Sequence, residues 1–380
     1  MQAFKVIGYL LILYFLLLTQ YRLMPGLWEL TDNPPVSFLR SNNTRALAKP
    51  LSGSDIKQLW EFINIPEQGQ LLCLAWIIDC WRTDTPFPIL ELIGEQGSAK
   101  STTQEMLRKL IDPSSANLRA SPTNCQDVFV NAGINWLVSY ENISHLSLAL
   151  QDTLCVIATG GGHAKRKLYT DKDESIIMVK RPIILNGISG AVTAQDLVDR
   201  TISIELPIIN NRKETNEIWP LFQENEAMLL GALLDIAAKA LNLLPTIQLP
   251  PEEKPRLVEF VRLGCAIAKV VGKTENDFLQ QFNINRLASI ERALETNPVA
   301  LALINWFEAN QRRPKTLPTK DLLQSLESYK PLHAENWPRL PRGFTDTLRR
   351  VALALRQIGI ECRCLGKMAG HFLWEIKPRT

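Results

Sequence analysis

The sequence predicts an α/β fold in which a three-layer core surrounds a phosphate-binding loop, with a helical segment and a winged helix after it. Ile89–Ile93 is a short apolar run typical of a buried strand, and it leads through a glycine loop into a helical pattern. Near the C-terminus, three helical patterns are followed by a hairpin pattern. The 380 residues, with 46% hydrophobic content, suffice for two or three globular domains.

The loop between the first strand and its helix is rich in glycine and ends in a lysine-serine pair. Its residues are Gly94, Glu95, Gln96, Gly97, Ser98, Ala99, Lys100, Ser101 and Thr102. Glycines let successive N–H groups point at phosphate oxygens, and the helix start adds partial positive charge. We expect Lys100 to reach the β and γ phosphates of ATP and Ser101 to hold Mg²⁺. The alternative is a glycine loop that binds nothing.

One position departs from the strict phosphate-loop pattern. Ala99 stands where the last glycine is expected. We expect the substitution to be tolerated, because alanine is small and a residue that turns into a helix needs no positive φ.

A carboxylate is expected at the end of a second core strand. Residues 135–142 are typical of a strand, and they end in Glu141 and Asn142. A carboxylate at this place, beside the loop, holds Mg²⁺ and its waters. Because asparagine replaces the second acid of the usual pair, no second carboxylate is present to polarise the attacking water. Either Glu141 both holds Mg²⁺ and polarises this water, or hydrolysis is slow. The alternative is an exposed glutamate at a strand end.

Two further polar residues follow predicted strands. Residues 181–187 form a buried-strand pattern in which Asn186 could hold the attacking water or touch the γ phosphate. Arg200 precedes the next strand and could reach the nucleotide of a neighbouring subunit. The alternative for this arginine is a surface salt bridge with Asp196 or Asp199.

Taken as an ordered set, these motifs resemble those of ATP-binding proteins of bacteriophages and integrated elements. Those proteins are similar to AAA+ and superfamily 3 replicative helicases and to the ATPase half of primase-helicases. The resemblance runs from about residue 34 to the C-terminus. The motifs that carry it are the glycine loop, Glu141-Asn142-Ile-Ser, Asp152-x-Leu-Cys-x-x-Ala-Thr-Gly, Lys167-Leu-Tyr-Thr-Asp171, Arg181-Pro-Ile-Ile-Leu-Asn-Gly and Asp196-Leu-x-Asp-Arg200.

The resemblance implies a P-loop NTPase core of AAA+ type that uses ATP and Mg²⁺ at a subunit interface of a homo-oligomer. It also implies a role for each predicted site residue. Lys100 and Ser101 would be the Walker A residues, Glu141 with Asn142 the Walker B pair, Asn186 sensor 1 and Arg200 an arginine finger.

A predicted hairpin after the glycine run at 160–162 carries a basic arm. It holds three cations, Lys165, Arg166 and Lys167, and an aromatic residue, Tyr169. Cations suit the DNA backbone and an aromatic ring suits a base face. The alternative is a solvated charged surface.

The C-terminal part of the chain is basic. Residues 311–380 hold 14 Lys and Arg against 6 Asp and Glu. The third helical pattern, residues 345–358, has Arg349, Arg350 and Arg356 off its apolar face, and Lys367 lies in the following hairpin. We expect a winged helix with these residues on its recognition helix and wing. The alternative is a winged helix used for protein contacts between subunits.

The expected segments are residues 1–50, an N-terminal segment; 51–210, the ATPase core; 211–296, a helical lid; and 297–380, the winged helix. Seven scattered cysteines and four dispersed histidines favour a reduced, cytoplasmic protein without a metal pattern. The apolar residues 6–18 are a buried element, a short membrane anchor, or residues ahead of a start at Met24.

The predicted function is that of an ATP-hydrolysing, helicase-like DNA motor in the replication of a phage or mobile element. Its expected substrate is single-stranded or forked DNA, and a separate primase is a candidate partner. The alternative is a nucleotide-gated DNA-binding switch with little turnover, which the asparagine at 142 favours.

Overall fold

The computed structural model describes residues 10–12, 20–31, 41–166, 174–211, 213–249, 255–332, 334, 337–368 and 371–379. The chain divides into two units. The first consists of Met1–Ala191 and Arg200–Asn285, and the second of Val192–Asp199 and Arg286–Thr380. The chain therefore enters the second unit briefly between two strands of the first, and again after residue 285.

The elements of the described residues follow one another along the chain. They are β1 (Leu10–Ile12), β2 (Gln20–Met24), β3 (Leu27–Thr31), α1 (Leu59–Phe62), α2 (Glu67–Asp79), β4 (Ile89–Ile93), α3 (Lys100–Ile111), α4 (Cys125–Ile134), β5 (Val138–Tyr140), α5 (Leu148–Thr159), β6 (Gly161–Arg166), β7 (Glu174–Val179), β8 (Ile183–Gly187), α6 (Gln195–Val198), β9 (Thr201–Glu205), α7 (Thr215–Leu243), α8 (Val258–Val270), α9 (Glu275–Glu295), α10 (Pro298–Ala309), β10 (Lys315–Pro318), α11 (Thr319–Leu326), α12 (Pro341–Gln357), β11 (Ile360–Met368) and β12 (His371–Pro378).

A four-stranded parallel sheet forms the centre of the first unit. Its order is β5-β8-β4-β9, and Ile89 of β4 lies opposite Ile183 on one side and Thr201 on the other. All residues of β4 and β8 are buried, as expected for parallel strands covered on both faces. The mixed α/β class predicted from the sequence is confirmed, and the carboxyl ends of the four strands share one edge.

Helices cover this sheet and supply most of its core. Helix α2 is buried along nearly its whole length, from Leu71 to Asp79, and it contacts α8. Helices α3, α7 and α8 contribute to the same hydrophobic cluster, so the helix that follows the glycine loop is held firmly against the sheet.

A small antiparallel sheet, in the order β1-β2-β3, precedes this core. Of the apolar residues 6–18, the structure describes Leu10–Ile12, which pair with Tyr21–Leu23 as a strand; the others lie outside the described residues. Within the described part of the chain, one helix, Thr215–Thr246, is long and apolar enough to cross a membrane. Inside the fold, 56% of its apolar window is buried.

The second unit combines α10, α11 and α12 with an antiparallel sheet in the order β10-β12-β11. The predicted C-terminal hairpin is confirmed, and the short strand β10, which was not predicted, pairs with it. Helix α12 buries the predicted apolar face and begins at Pro341, earlier than expected, because proline suits the first turn. At the start of α11, the Thr319 hydroxyl donates to the carbonyl of Phe372 at 3.0 Å.

Candidate functional site

The glycine loop connects β4 to α3 at the carboxyl edge of the parallel sheet. Gly94 and Gly97 have φ values of +148° and +96°, which glycine adopts without strain. A Cβ atom at Gly94 would also come within 2.7 Å of the carbonyl oxygen of Leu206. Both glycines are therefore required by the path of the loop.

Ala99, the residue before α3, has φ 55° and ψ 32°, in the left-handed region. The prediction that this position needs no positive φ is wrong, because the loop enters the helix through a left-handed residue. For a residue with a Cβ atom this conformation costs roughly 1–2 kcal/mol. The carbonyl of Ala99 still accepts the first helical hydrogen bond, from the N–H of Thr103 at 2.9 Å.

The ammonium group of Lys100 lies inside the loop. Its Nζ donates to the carbonyl oxygens of Gly94 and Glu95, both at 2.8 Å, and contacts the hydroxyl of Ser98 at 3.3 Å. Partial burial lowers the pKa of this amine below its usual value. The loop thus holds a cation at its centre through main-chain oxygens.

Ser101 and Glu141 come together at the edge of the sheet. The Ser101 hydroxyl donates to Oε2 of Glu141 at 3.2 Å, and Glu141 directly follows the last residue of β5. The predicted strand at 135–142 is shorter than expected, since only Val138–Tyr140 form it. A hydroxyl and a carboxylate are the hard oxygen ligands that fit Mg²⁺, which keeps waters and phosphate oxygens as its other ligands.

Asn186 lies in β8 and is 1% exposed. Its Nδ2 donates to Oε1 of Gln104 at 2.7 Å, and its Oδ1 accepts from the N–H of Asn142 at 2.9 Å. Asn142 itself has a φ of 55°. Both polar atoms of the Asn186 side chain are therefore bonded within the protein in this arrangement, and the structure brings Asn142 and Asn186 together.

Gln104 was not identified from the sequence. It is fully buried on α3, and its Nε2 donates to the Ser139 hydroxyl at 2.9 Å and to the Tyr140 carbonyl at 3.0 Å. The available signal was a polar residue on the face of the helix that also carries Leu107 and Ile111.

A cavity of about 570 Å³ opens beside the loop. Its lining includes Gly97, Ala99, Ser101 and Thr102 of the loop and of α3, and it is both apolar and polar elsewhere. The apolar residues are Trp60, Phe62, Ile63, Ile209, Ile218 and Trp219, and the polar ones are Glu61, Asn64, Glu105, Asn211, Lys213 and Thr215. These residues come from segments more than a hundred positions apart, so sequence patterns did not reveal them.

Asn64, which lines this cavity, is hydrogen-bonded to the loop. Its Nδ2 donates to the carbonyl of Ser98 at 3.0 Å and to the carbonyl of Pro207 at 2.6 Å. Its main-chain N–H donates to the Thr103 hydroxyl at 3.1 Å. One side chain thereby ties the loop to the segment after β9.

Arg200 lies immediately before β9 and is half-buried, and its carbonyl accepts from the N–H of Ile89 at 2.9 Å. The neighbouring residue Asp199 forms an ion pair with Arg286 at 3.7 Å, and both belong to the second unit.

The predicted basic hairpin is present as the antiparallel pair β6 and β7. Lys165 and Arg166 belong to β6, whereas Lys167 and Tyr169 lie outside the described residues. The hairpin itself is therefore confirmed, while its role in binding DNA stays a prediction.

In the second unit, Arg349 and Arg350 are exposed on α12. The guanidinium carbon of Arg349 lies 5.9 Å from the centre of the Phe372 ring. Arg356 is half-buried and forms an ion pair with Glu361 at 3.7 Å. Lys367 lies exposed within β11 of the predicted hairpin, opposite Phe372.

The model of a family described as actinomycete integrative conjugative element replication protein matches residues 56–272, and that of the AICE RepA C-terminal domain matches residues 299–380. A search of curated proteins found no match.

Among solved structures, the chain is similar to the apo C-terminal region of NrS-1, with 14% identity, a TM-score of 0.40, and coverage of 90% of this chain and 79% of that one. It is also similar to SCCmec type IV Cch, described as an active helicase, with 10% identity, a TM-score of 0.49, and coverage of 94% and 78%.

Proposed function

The chain belongs to the family of actinomycete integrative conjugative element replication proteins, and we propose that it is a Mg²⁺-dependent ATPase that works on DNA as a helicase-like motor. The observation that carries this proposal is the contact of Ser101 with Glu141 beside the loop that holds Lys100. A hydroxyl, a carboxylate and a lysine at the end of a parallel strand form the constellation that phosphoryl transfer requires.

We propose that the loop and the neighbouring cavity bind the two ends of a nucleotide. The loop and the start of α3 supply N–H groups for the phosphates. The cavity, at about 570 Å³, is within the range of small-ligand sites, and its lining includes apolar side chains such as Trp60, Ile218 and Trp219 against which a base could pack.

Ser101 and Glu141 would hold Mg²⁺ in this site. When bound, the ion would neutralise charge on the β and γ phosphate oxygens. Lys100 must then exchange its loop carbonyls for phosphate oxygens, and Glu141 must also orient the attacking water, because Asn142 has no carboxylate. In this proposal Asn186 is sensor 1 and Arg200 is the finger supplied to a neighbouring subunit.

We propose that the second unit is a winged helix that binds DNA. The order helix α10, strand β10, helices α11 and α12, then β11 and β12, supports this assignment. Helix α12 would be the recognition helix, with Arg349, Arg350 and Arg356, and β11 and β12 the wing, with Lys367. The β6–β7 hairpin would supply a second contact through the arm that includes Lys165.

The working form in this proposal is a homo-oligomer, because an arginine finger acts between subunits. Its proposed location is the cytoplasm. The core at 51–210, the lid at 211–296 and the separate primase partner stay predictions, as does the boundary at 297.

A second candidate is a nucleotide-gated DNA-binding switch with negligible turnover. It is favoured by the surroundings of Asn142, whose N–H is already bonded by Asn186 and whose side chain cannot act as a second carboxylate.

The test is ATP hydrolysis by the full chain with and without single-stranded DNA, beside Lys100→Ala and the exposed-lysine control Lys239→Ala. The motor predicts DNA-stimulated turnover that is lost in Lys100→Ala and retained in the control. Tight ATP binding without turnover would contradict the motor and support the switch, and absence of ATP binding would contradict both.

A further inference from the structure

Three buried side chains connect the helix after the glycine loop to the main chain on both sides of Glu141. They are Gln104 on α3, Asn186 on β8 and Ser139 on β5, and we call Gln104 and Asn186 the amide relay. We infer that Gln104 is a positioning residue that, through Asn186, sets the place of the Glu141 carboxylate relative to Ser101. The inference rests on the proposed ATPase function.

The donor and the acceptor of each hydrogen bond in the relay are fixed, because both ends of the relay are main-chain groups. The Tyr140 carbonyl can only accept, so the Gln104 amide must present its nitrogen there, at 3.0 Å. Its oxygen then faces Asn186, which must donate, at 2.7 Å. The oxygen left on Asn186 meets the N–H of Asn142, which can only donate, at 2.9 Å.

The two ends of the relay flank Glu141. Tyr140, whose carbonyl is bound at one end, precedes it, and Asn142, whose N–H is bound at the other, follows it. The main-chain carbonyl of Asn186 also accepts from the N–H of Ile143 at 2.8 Å. The peptide groups on both sides of the carboxylate are therefore held.

The backbone around Asn142 and Gly187 has little conformational freedom. Asn142 has a φ of 55°, which asparagine tolerates better than most residues with a Cβ atom. A Cβ atom at Gly187 would collide with the carbonyl oxygen of Ile143, so the loop after Glu141 lies directly on the end of β8.

Helix α3 contacts both the side chain of Glu141 and the main chain next to it. Ser101 and Gln104 are three positions apart, so they share a face of the helix. Ser101 contacts the carboxylate, and Gln104 holds the main chain. Because Gln104 and Asn186 are 0% and 1% exposed, water cannot replace a lost partner, and each link depends on the next.

The experiment compares Gln104→Met, which keeps the side-chain volume, with Asn186→Leu and the double variant. Turnover, the Mg²⁺ concentration for half-maximal turnover, and ATP binding in EDTA are measured for each full chain. The matched control is Ser139→Ala, which removes one acceptor of Gln104 but leaves the link to Tyr140. Thermal unfolding checks that each variant folds.

We expect Gln104→Met to need roughly tenfold more Mg²⁺ and to lose roughly tenfold in turnover, with ATP binding in EDTA within about twofold of wild type. The double variant should be no worse than the poorer single variant, because the two amides act as one unit. Ser139→Ala should change each quantity by less than about twofold.

If Gln104→Met does not fold, Asn186→Asp provides the test. It keeps the acceptor for Asn142 but sets oxygen against oxygen at Gln104, and the same rise in Mg²⁺ requirement is expected. A folded variant with the wild-type Mg²⁺ requirement overturns the inference, and so do losses that multiply in the double variant.

The proposed function can fail separately. If the wild-type chain binds ATP but does not turn it over, the motor is wrong, and the relay is judged by ATP affinity with and without Mg²⁺, which Gln104→Met should reduce only in Mg²⁺. A wild-type chain that binds no ATP overturns both.

Discussion

The two units of the chain place their predicted functional side chains in opposite surroundings. In the first, Ser101, Glu141 and Asn186 are hydrogen-bonded to other protein groups at the edge of the parallel sheet. In the second, Arg349 and Lys367 are exposed. The first arrangement suits chemistry that depends on atomic positions, and the second suits attraction to a polyanion, which depends on charge and salt.

The largest effect is expected in the first unit, where position matters most. Glu141→Gln keeps the size of the side chain but removes the charge, so turnover should fall about 100-fold or more while ATP still binds. Steady-state ATP hydrolysis measures this. The control is Glu205→Gln, the same change at the exposed end of β9 in the same sheet; an equal loss there would remove the special place of Glu141.

Burial in the first unit should also make its stability depend on pH. Asp79 is fully buried, and burial raises the pKa of its carboxyl to about 7, although Arg82 acts in the opposite direction. Unfolded aspartate has a pKa of about 3.9. Between these values the native state binds more protons than the unfolded state, so the free energy of unfolding falls as pH rises.

Urea unfolding at pH 5 and pH 8 tests this effect. The side chain introduced by Asp79→Asn cannot titrate. Between pH 5 and pH 8, the free energy of unfolding of this variant should therefore fall by about 2 kcal/mol less than that of wild type. Parallel pH profiles of the two proteins would mean that Asp79 is ionised in the native state at both pH values.

The exposed cations of the second unit should give a smaller and salt-dependent effect. Changing Arg349 and Arg350 together to alanine should weaken DNA binding about tenfold at moderate salt and reduce the salt slope by about 2. Fluorescence anisotropy with forked DNA measures both quantities. Removing two exposed lysines of the first unit, Lys239 and Lys273, is the charge-matched control; an equal loss would mean that total charge, rather than α12, attracts DNA.

The smallest effect concerns the strain in the loop. Ala99→Gly should raise the free energy of unfolding by about 0.5–1 kcal/mol, because glycine adopts the left-handed conformation that alanine resists. Ala288→Gly, in the exposed interior of α9, should have the opposite sign. Urea denaturation of both variants measures the contrast. Destabilisation by both would show that the loop gains nothing from glycine at 99.

Local patterns were sufficient for much of the fold. The strand Ile89–Ile93, helix α9 at Glu275–Glu295 and the C-terminal hairpin follow from runs, periodicity and turn residues. Strand β10 was missed because four residues with two of them exposed carry no alternation, and it is defined by its pairing with β12. Ala99 was misjudged because a φ angle depends on the path of the whole loop.

The candidate site shows the same division. Motif spacing and strand order predicted which residues flank the loop and lie at the strand ends, because both are properties of a linear chain. The contact of Gln104 with Asn186 and the cavity shared by Trp60 and Trp219 are found only in the folded protein. Such contacts join positions far apart in the chain, and they exist only after the parallel strands and their covering helices have packed.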